Sequence, residues 1–321
     1  MNEKTLNNKD NLFSFIDKDT IQAEKITAPR YSYWASVFRV FFRKKTNYLL
    51  IFLFILLIAC SFIIPMVMPY DSFENVTDAK TYNLSPSQAM QYFGGGFNLK
   101  WIFGTGSQGN SIFAGIWASA RTSLLLAMIC AAINMTIGII LGAVWGYSKR
   151  ADQFLLVIYN IIANVPYILL ISVLVYIIGS GFWSFVFALT VTGYLGIAYF
   201  FRTQVMIIRD REYSLASRCL GTPINRMISK NMLPFLTSVI VTLLATELPT
   251  YISMEVFLSY IGIGLSSEVP SLGRMIQEAQ NAFLTFPWAF WPPVAIAAAI
   301  TIILYVLGQN LADATDPRTH M

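Results

Sequence analysis

Glu247, Tyr251 and Glu255 follow one another at steps of four in a run that is otherwise apolar. On a helix that spacing places all three on one stripe. An ionisable side chain inside a membrane-length run is a candidate for meeting cargo or moving ions. Two readings of Glu247 stand side by side. Either it faces a route through the membrane and meets a solute or solvent, or it bonds a neighbouring helix and holds the bundle together. Glu255 lies near the outer end of its run, where the structural reading is favoured. Asn134, Asn160 and Asn164 are polar residues of other apolar runs. Each suits a bond between helices, and Asn160 and Asn164 join Glu247 and Tyr251 as candidates for a route lining.

Other chemistries are excluded. His320 is the sole histidine, so His-based metal clusters and Ser-His-Asp catalysis are unavailable. Gly-x-x-x-x-Gly-Lys-[Ser/Thr] does not occur, and the glycines before Lys149 are wrongly spaced for a phosphate loop. The chain is therefore expected to hydrolyse no ATP by itself, to be no enzyme, and to carry no metal or cofactor. Cys60 and Cys130 lie in apolar runs and Cys219 in a basic loop, which implies no disulfide framework.

That basic loop, 209–234, separates two long apolar runs. It is too polar for lipid and too patterned for a slack connector. Asp210 and Glu212 are acids at the start of a helix-compatible stretch, where the macrodipole favours negative charge. Leu215, Cys219 and Leu220 give it an apolar face, and Ala216 and Ser217 are small enough for close contact with a partner. Gly221 suits the left-handed position that ends a helix. Thr222 followed by Pro223 reads as the N-cap and first residue of a second short helix. Met227 and Ile228 are its apolar residues, and Pro234, after Leu233, resets the chain. A helix–turn–helix of this kind either docks a partner's groove or lies on the membrane surface without one.

The elements that carry these residues are apolar throughout. Charged residues make up 12% of the chain, apolar residues 56%, and the mean hydropathy is +0.58. A soluble chain of 321 residues could not hide so much apolar surface, so the solvent is a lipid bilayer. Spanning helices need roughly 20 apolar residues. Six runs qualify: 47–68, 122–147, 154–178, 182–201, 235–261 and 289–311. Pro166 and Pro249 fall inside runs and are expected to be tolerated there. No cleavable signal is expected, because the first run follows a long mixed-charge leader.

Lysine and arginine set the orientation. Only Lys80, Lys100, Arg121 and Arg274 of the 22 fall outside the leader, the loop at 148–153, the 202–234 region and the tail. This asymmetry predicts cytosolic termini, a cytosolic basic loop and an even number of spans. The net charge of +5 is thus a topology signal, and no nucleic-acid partner is implied.

Smaller features complete the layout. Residues 1–30 are polar and unpatterned and are expected to be mobile. Trp34, Val37, Phe38 and Phe41 recur at helical spacing beside Arg43, Lys44 and Lys45. This predicts a helix over 31–42 lying in the headgroup plane, or simply the aromatic flank of the first span. The segment 70–117 is the largest external element, and 264–288 is a second. Asn75-Val76-Thr77 matches a glycosylation pattern too short to carry weight. Gly138, Gly142 and Gly146, four apart, predict close helix packing.

These residues resemble a known family. The 209–234 loop resembles the EAA motif of type I ABC-importer permeases, with Gly221 and Leu233-Pro234 at the family's separation. The chain is more specifically similar to the C-type permease subunits of Opp/Ami oligopeptide importers. Supporting stretches are Phe103 to Gly109, Arg121 to Leu124, Glu255 to Gly264 with Pro270 to Gly273, and Gly308 to Arg318. Departures are Leu215-Ala216-Ser217 for the EAA triplet, Asn231 for a histidine, and Gly106 and Asn110 for an Asp and an Arg.

The resemblance implies an all-α fold of the MetI-like type I class with six spans. Its parts would be a cytosolic segment 1–46, a first span 47–69, an external loop 70–117, a core 118–311 and a tail 312–321. It implies residence in the bacterial cytoplasmic membrane as one subunit of an assembly. The other members would be an OppB-like permease, OppD- and OppF-like ATPases using ATP and Mg, and an external peptide-binding lipoprotein delivering peptide. Coupling to the ATPases would fall on Glu212, Leu215, Ala216, Ser217, Leu220, Gly221, Pro223, Leu233 and Pro234. Dipeptide and nickel permeases share the architecture. An ion-coupled transporter using Glu247 and Glu255 and a non-transporting scaffold are the readings from other classes.

Overall fold

The computed structural model describes residues 32–266 and 268–316, and the leader expected to be mobile, together with Arg318 and His320, lies outside them. Among the described residues the fold is helical, with one isolated bridge between Thr105 and Ser111. The N-terminal helix is α1 (Tyr33–Arg43), of which 33–36 belong to a small separate unit. In the main body Val37 and Phe41 of α1 are buried, while Phe38 and Phe42 stack on its exposed side. The helix agrees with the helical spacing read over 31–42, but Phe38 of that stripe lies on the exposed side, apart from Val37 and Phe41.

After a bend at Lys44, α2 (Lys45–Val67) is apolar on every side and mostly bare. A cap follows, holding α3 (Pro86–Tyr92). Ser85 and Gln88 make a reciprocal capping box there, and the rings of Phe93 and Trp101 stack 3.9 Å apart. The amide of Asn75 donates to the Gly109 carbonyl at 3.0 Å, so this side chain closes the cap.

The cap ends earlier than expected. The helix α4 (Ile112–Tyr147) starts at an N-cap serine, Ser111, ten residues before the predicted start at 122. Its 36 residues extend ~54 Å, well beyond a hydrocarbon core of roughly 30 Å.

The third apolar run is not one helix. It divides into α5 (Lys149–Ala163) and α6 (Tyr167–Ile178), bent by 79°. Pro166 is the cause, since proline drives the residue before it out of helical conformation and supplies no N–H. The fourth run also breaks, into α7 (Phe182–Thr190) and α8 (Tyr194–Arg209). It continues eight residues past the predicted end at 201, so Arg202 is a helical residue. Among the described residues five helical stretches are therefore long and apolar enough to span, or six with the bent pair.

The basic loop forms α9 (Glu212–Cys219) and α10 (Ile224–Arg226), the latter widening to π-helix over Met227–Met232 and tightening to 3-10 over Leu233–Leu236. Pro234 cannot donate to a helical acceptor and crowds the carbonyl four residues back, which accounts for the irregular turn. The chain then runs through α11 (Thr237–Tyr260), α12 (Leu272–Ala279) and α13 (Pro287–Thr315). Pro249 leaves α11 continuous, as expected. The carbonyl it deprives of a donor belongs to Ala245, against which Gly308 of α13 packs.

Close packing of α4 on α8 fixes the centre. A Cβ on Gly142 would stand 2.5 Å from the Ala198 oxygen, and one on Gly146 2.5 Å from the Arg202 oxygen. A Cβ on Gly138 would meet Ile197 at 2.7 Å. The four-residue glycine stripe is thus a packing seam, as its spacing predicts. A main apolar cluster joins α4, α7, α11, α12 and α13, and a second lies beneath the basic loop.

Polar bonds bring the start of α2 and the end of α13 together. The Asn310 amide donates to Asn47 at 2.7 Å, Lys44 pairs with Asp313 at 3.3 Å, and the hydroxyls of Thr315 and Ser238 are 3.4 Å apart. The start of α2, the end of α13 and the basic loop therefore share one end of the bundle, as an even number of crossings requires.

Candidate functional site

The α9–α10 elbow is built by its backbone. Gly221 has φ +74°. The Thr222 N–H donates to the Ser217 carbonyl at 3.2 Å and the Gly221 N–H to the Arg218 carbonyl at 3.0 Å. These two bonds are a Schellman termination, which satisfies carbonyls that a helix end leaves open. Two local expectations are corrected. The residue flanking α10 is Pro223, not Thr222, and no side chain caps it. Asp210 does not begin α9 but ends α8, where it pairs with Arg209 at 2.9 Å. The Arg209 guanidinium holds the Asp210 carboxyl below the usual carboxylate range.

One side of the elbow is anchored. Met227, Met232 and Leu236 are buried against Ala143 of α4 and Phe201 and Val205 of α8. Asn231 donates to Ser217 at 3.3 Å, tying the two arms together, and the Tyr213 and Phe235 rings are 5.4 Å apart. Arg218 lies over the Tyr147 ring, 5.7 Å from its centre. Leu233 is half-buried beside the same cluster, and Pro234 is exposed.

The other side is bare. Leu215 is 45% exposed and Leu220 87%, and Glu212, Ala216, Cys219, Gly221 and Pro223 are exposed beside them. Ser217 is half-buried. A locked helix thus presents apolar and small residues outward at the most basic end of the molecule.

Below the elbow, charged groups that spacing did not reveal join it to the spans. Arg209 donates to the Gly146 carbonyl at 2.9 Å, and Arg202 pairs with Asp152 of α5 while stacking on Trp145 and Tyr199. Asp152 opens α5 in a run of mixed charge and reads from sequence as an ordinary first-turn acid. Only the fold brings it to Arg202.

A second constellation lies midway along the spans. Glu247 is the eleventh of the 24 residues of α11, about 15 Å along it. A cavity of about 240 Å³ opens beside it, lined by Glu247, Thr250, Tyr251, Tyr167, Thr192 and Gly193 among others. Tyr167 directly follows the break at Pro166, and Thr192 and Gly193 form the break between α7 and α8. Gly193 is required there, because a Cβ would stand 2.4 Å from the Leu189 oxygen. Tyr167 donates to that same carbonyl at 2.9 Å. Asn134 donates to the Tyr251 hydroxyl, so this asparagine joins α4 to α11. Asn160 and Asn164 are exposed and do not line the cavity; the Asn164 amide bonds back to the Asn160 carbonyl at the end of α5. Thr192 and Tyr167 were missed in the sequence, where only Pro166 and Gly193 signal the breaks that put them here.

Glu255 stands apart. It is fully buried and accepts from Ser123 of α4 at 2.8 Å and from Ser259 at 3.0 Å. Gly273 of α12 packs against it, with no room for a side chain. This is the structural position expected.

Residues 134–321 match the model of the binding-protein-dependent transport system inner membrane component, and 32–86 match that of the N-terminal TM domain of oligopeptide transport permease C. The chain is 42% identical over 308 residues to the oligopeptide transport system permease protein AmiD of Streptococcus pneumoniae, covering 96% of this chain and 97% of that protein. It is 29% identical to OppC of Bacillus subtilis, over 96% and 97% of the two chains. It is 32% identical to the dipeptide permease DppC of Bacillus subtilis, over 92% and 89%.

Proposed function

We propose that this chain, which belongs to the family of binding-protein-dependent transport system inner membrane components, forms half of the peptide route of an ATP-driven oligopeptide importer. Its membership makes it a permease component, a multi-pass protein of the bacterial membrane and not itself an enzyme. A second, OppB-like permease completes the route in this reading. OppD- and OppF-like ATPases bind below, and an external lipoprotein delivers peptide. The basic end carries the elbow and both termini in the cytosol, as the lysine and arginine asymmetry indicates.

The observation that carries this reading is the bare face of α9. A helix locked at its C-terminus and tied to two spans has no structural need to expose Leu215, Ala216 and Leu220. A groove in an ATPase subunit would cover them. When two ATPases close on ATP, α9 moves with the subunit that holds it. Arg209, bonded to Gly146, and the packed α4–α8 seam pass the motion to the spans, switching access. The test is Ala216→Glu in the intact assembly: the ATPase subunits should no longer copurify, while membrane insertion stays normal. Full retention of both ATPases would remove the docking claim.

The peptide assignment follows the relatives named for oligopeptide and dipeptide transport. Uptake of labelled peptides of graded length, with nickel as a control, separates these cargoes. A second reading gains from the two interrupted helices beside Glu247, since ion-coupled transporters build midplane sites from such breaks. That reading requires uptake to collapse with an uncoupler while ATP is held constant. Ours requires it to persist.

A further inference from the structure

Among the described residues Glu247 meets no cation, and none of the ion pairs includes it. Its carboxylate lines a cavity of about 240 Å³ halfway along a spanning helix. Two helices break at that cavity, one before Tyr167 and one at Thr192. Irregular backbone at membrane depth persists only where protein buries it or where it lines a wet cavity. Thr192 also lines the cavity, and its hydroxyl is buried beside it with no partner. The Thr250 hydroxyl, also on the wall, bonds back to Thr246 and keeps oxygen lone pairs free to accept. Gly196 lines the same space, and a Cβ there would touch nothing, so the cavity is open on that side.

The wall therefore offers one carboxylate and several hydroxyl oxygens, with no fixed positive charge. Oxygen acceptors around a single anion complement a compact cationic donor. A primary ammonium has three N–H donors and the opposite charge. The volume admits such a group with part of its chain, and is too small for a whole oligopeptide.

We infer that the Glu247 cavity is a transit site for a primary ammonium group of the cargo, either the peptide's free N-terminus or a lysine side chain. This rests on the reading of the chain as a peptide permease. Glu247 is then a specificity-determining residue for what crosses, beyond any choice made by the delivering protein.

The test uses the complete importer in proteoliposomes with saturating binding protein and ATP. Four labelled peptides of one length are compared: lysine or norleucine at one internal position, each with a free or an acetylated N-terminus. In the wild type the ammonium-bearing peptides should cross faster than the acetylated norleucine peptide. Glu247→Gln should slow them about tenfold, the loss of one charge-assisted bond, and leave the acetylated norleucine peptide near its wild-type rate. Loss confined to the free-amine pair identifies the N-terminus as the source, and loss confined to the lysine pair identifies the side chain. Glu247→Asp keeps the charge and should keep the order of rates. Equal slowing of all four peptides in Glu247→Gln, no slowing of any, or loss of the order in Glu247→Asp overturns the proposal. Failure of the underlying peptide-permease reading looks different: the wild type would then move no peptide in response to ATP.

Discussion

The Arg209 guanidinium donates to the Gly146 carbonyl at 2.9 Å, joining the last residue of α8 to the last turn of α4. The same arginine holds Asp210, two residues before α9 begins. Displacement of α9 therefore acts on two packed spans through one buried side chain. Arg209→Lys keeps the charge but loses the planar fork. It is expected to leave ATPase copurification intact and to lower peptide uptake per ATP hydrolysed several-fold. Unchanged coupling would show that motion passes elsewhere.

The α4–α8 seam has no room. Gly142→Leu would drive a side chain into the Ala198 backbone. Overpacking of this kind costs ~1–3 kcal/mol, and here the obstacle is backbone, so the upper part of that range is expected. Thermal inactivation of the detergent-solubilised complex reads it as a lowered midpoint, with Gly196→Ala, where a Cβ meets nothing, as the neutral control.

Gly221 tests the shape of the elbow separately from its surface. Its φ of +74° costs an L-residue about 1–2 kcal/mol. Gly221→Ala should loosen the end of α9 and reduce ATPase affinity partly. Gly221→Trp adds bulk on the bare side and should reduce affinity further. Membrane insertion of both is expected to match the wild type in a fractionation assay.

Glu255 and Glu247 should part company. Glu255→Ala leaves the hydroxyls of Ser123 and Ser259 without their acceptor, at about 1–3 kcal/mol for each buried group left unpaired. The amount of folded protein should fall, and uptake of every peptide should fall in proportion. A change in peptide preference at Glu255 would contradict its structural role.

Much of this arrangement is legible in the sequence because it rests on short-range rules. Gly221 ends a helix for a reason visible within six residues. The stripe of Gly138, Gly142 and Gly146 announces a helix contact without saying which helix. The break at Val191–Gly193 is hidden by its setting, since Thr192 and Gly193 sit in a long apolar run that hydropathy reads as one span. The 79° bend at Pro166 is not legible in hydropathy, since Pro249 stands in a similar apolar run and leaves its helix whole. Ser111 is one polar residue among many in a long loop by sequence, and its role as N-cap rests on its hydroxyl accepting from the Ala114 N–H at 3.2 Å. The pairings of Asp152 with Arg202 and of Asn47 with Asn310 join residues 50 and 263 positions apart, and periodicity has no term for them.

Cys219 supplies the most direct test, because it is exposed at the end of α9 while Cys130 is buried and Cys60 is half-buried in α2. A membrane-impermeant maleimide should leave Cys219 unlabelled in intact cells and label it in inverted vesicles stripped of ATPases. Rebinding the ATPases should protect it. Labelling from outside the cell, or labelling in inverted vesicles that rebound ATPases do not reduce, would contradict an inward-facing elbow that docks them.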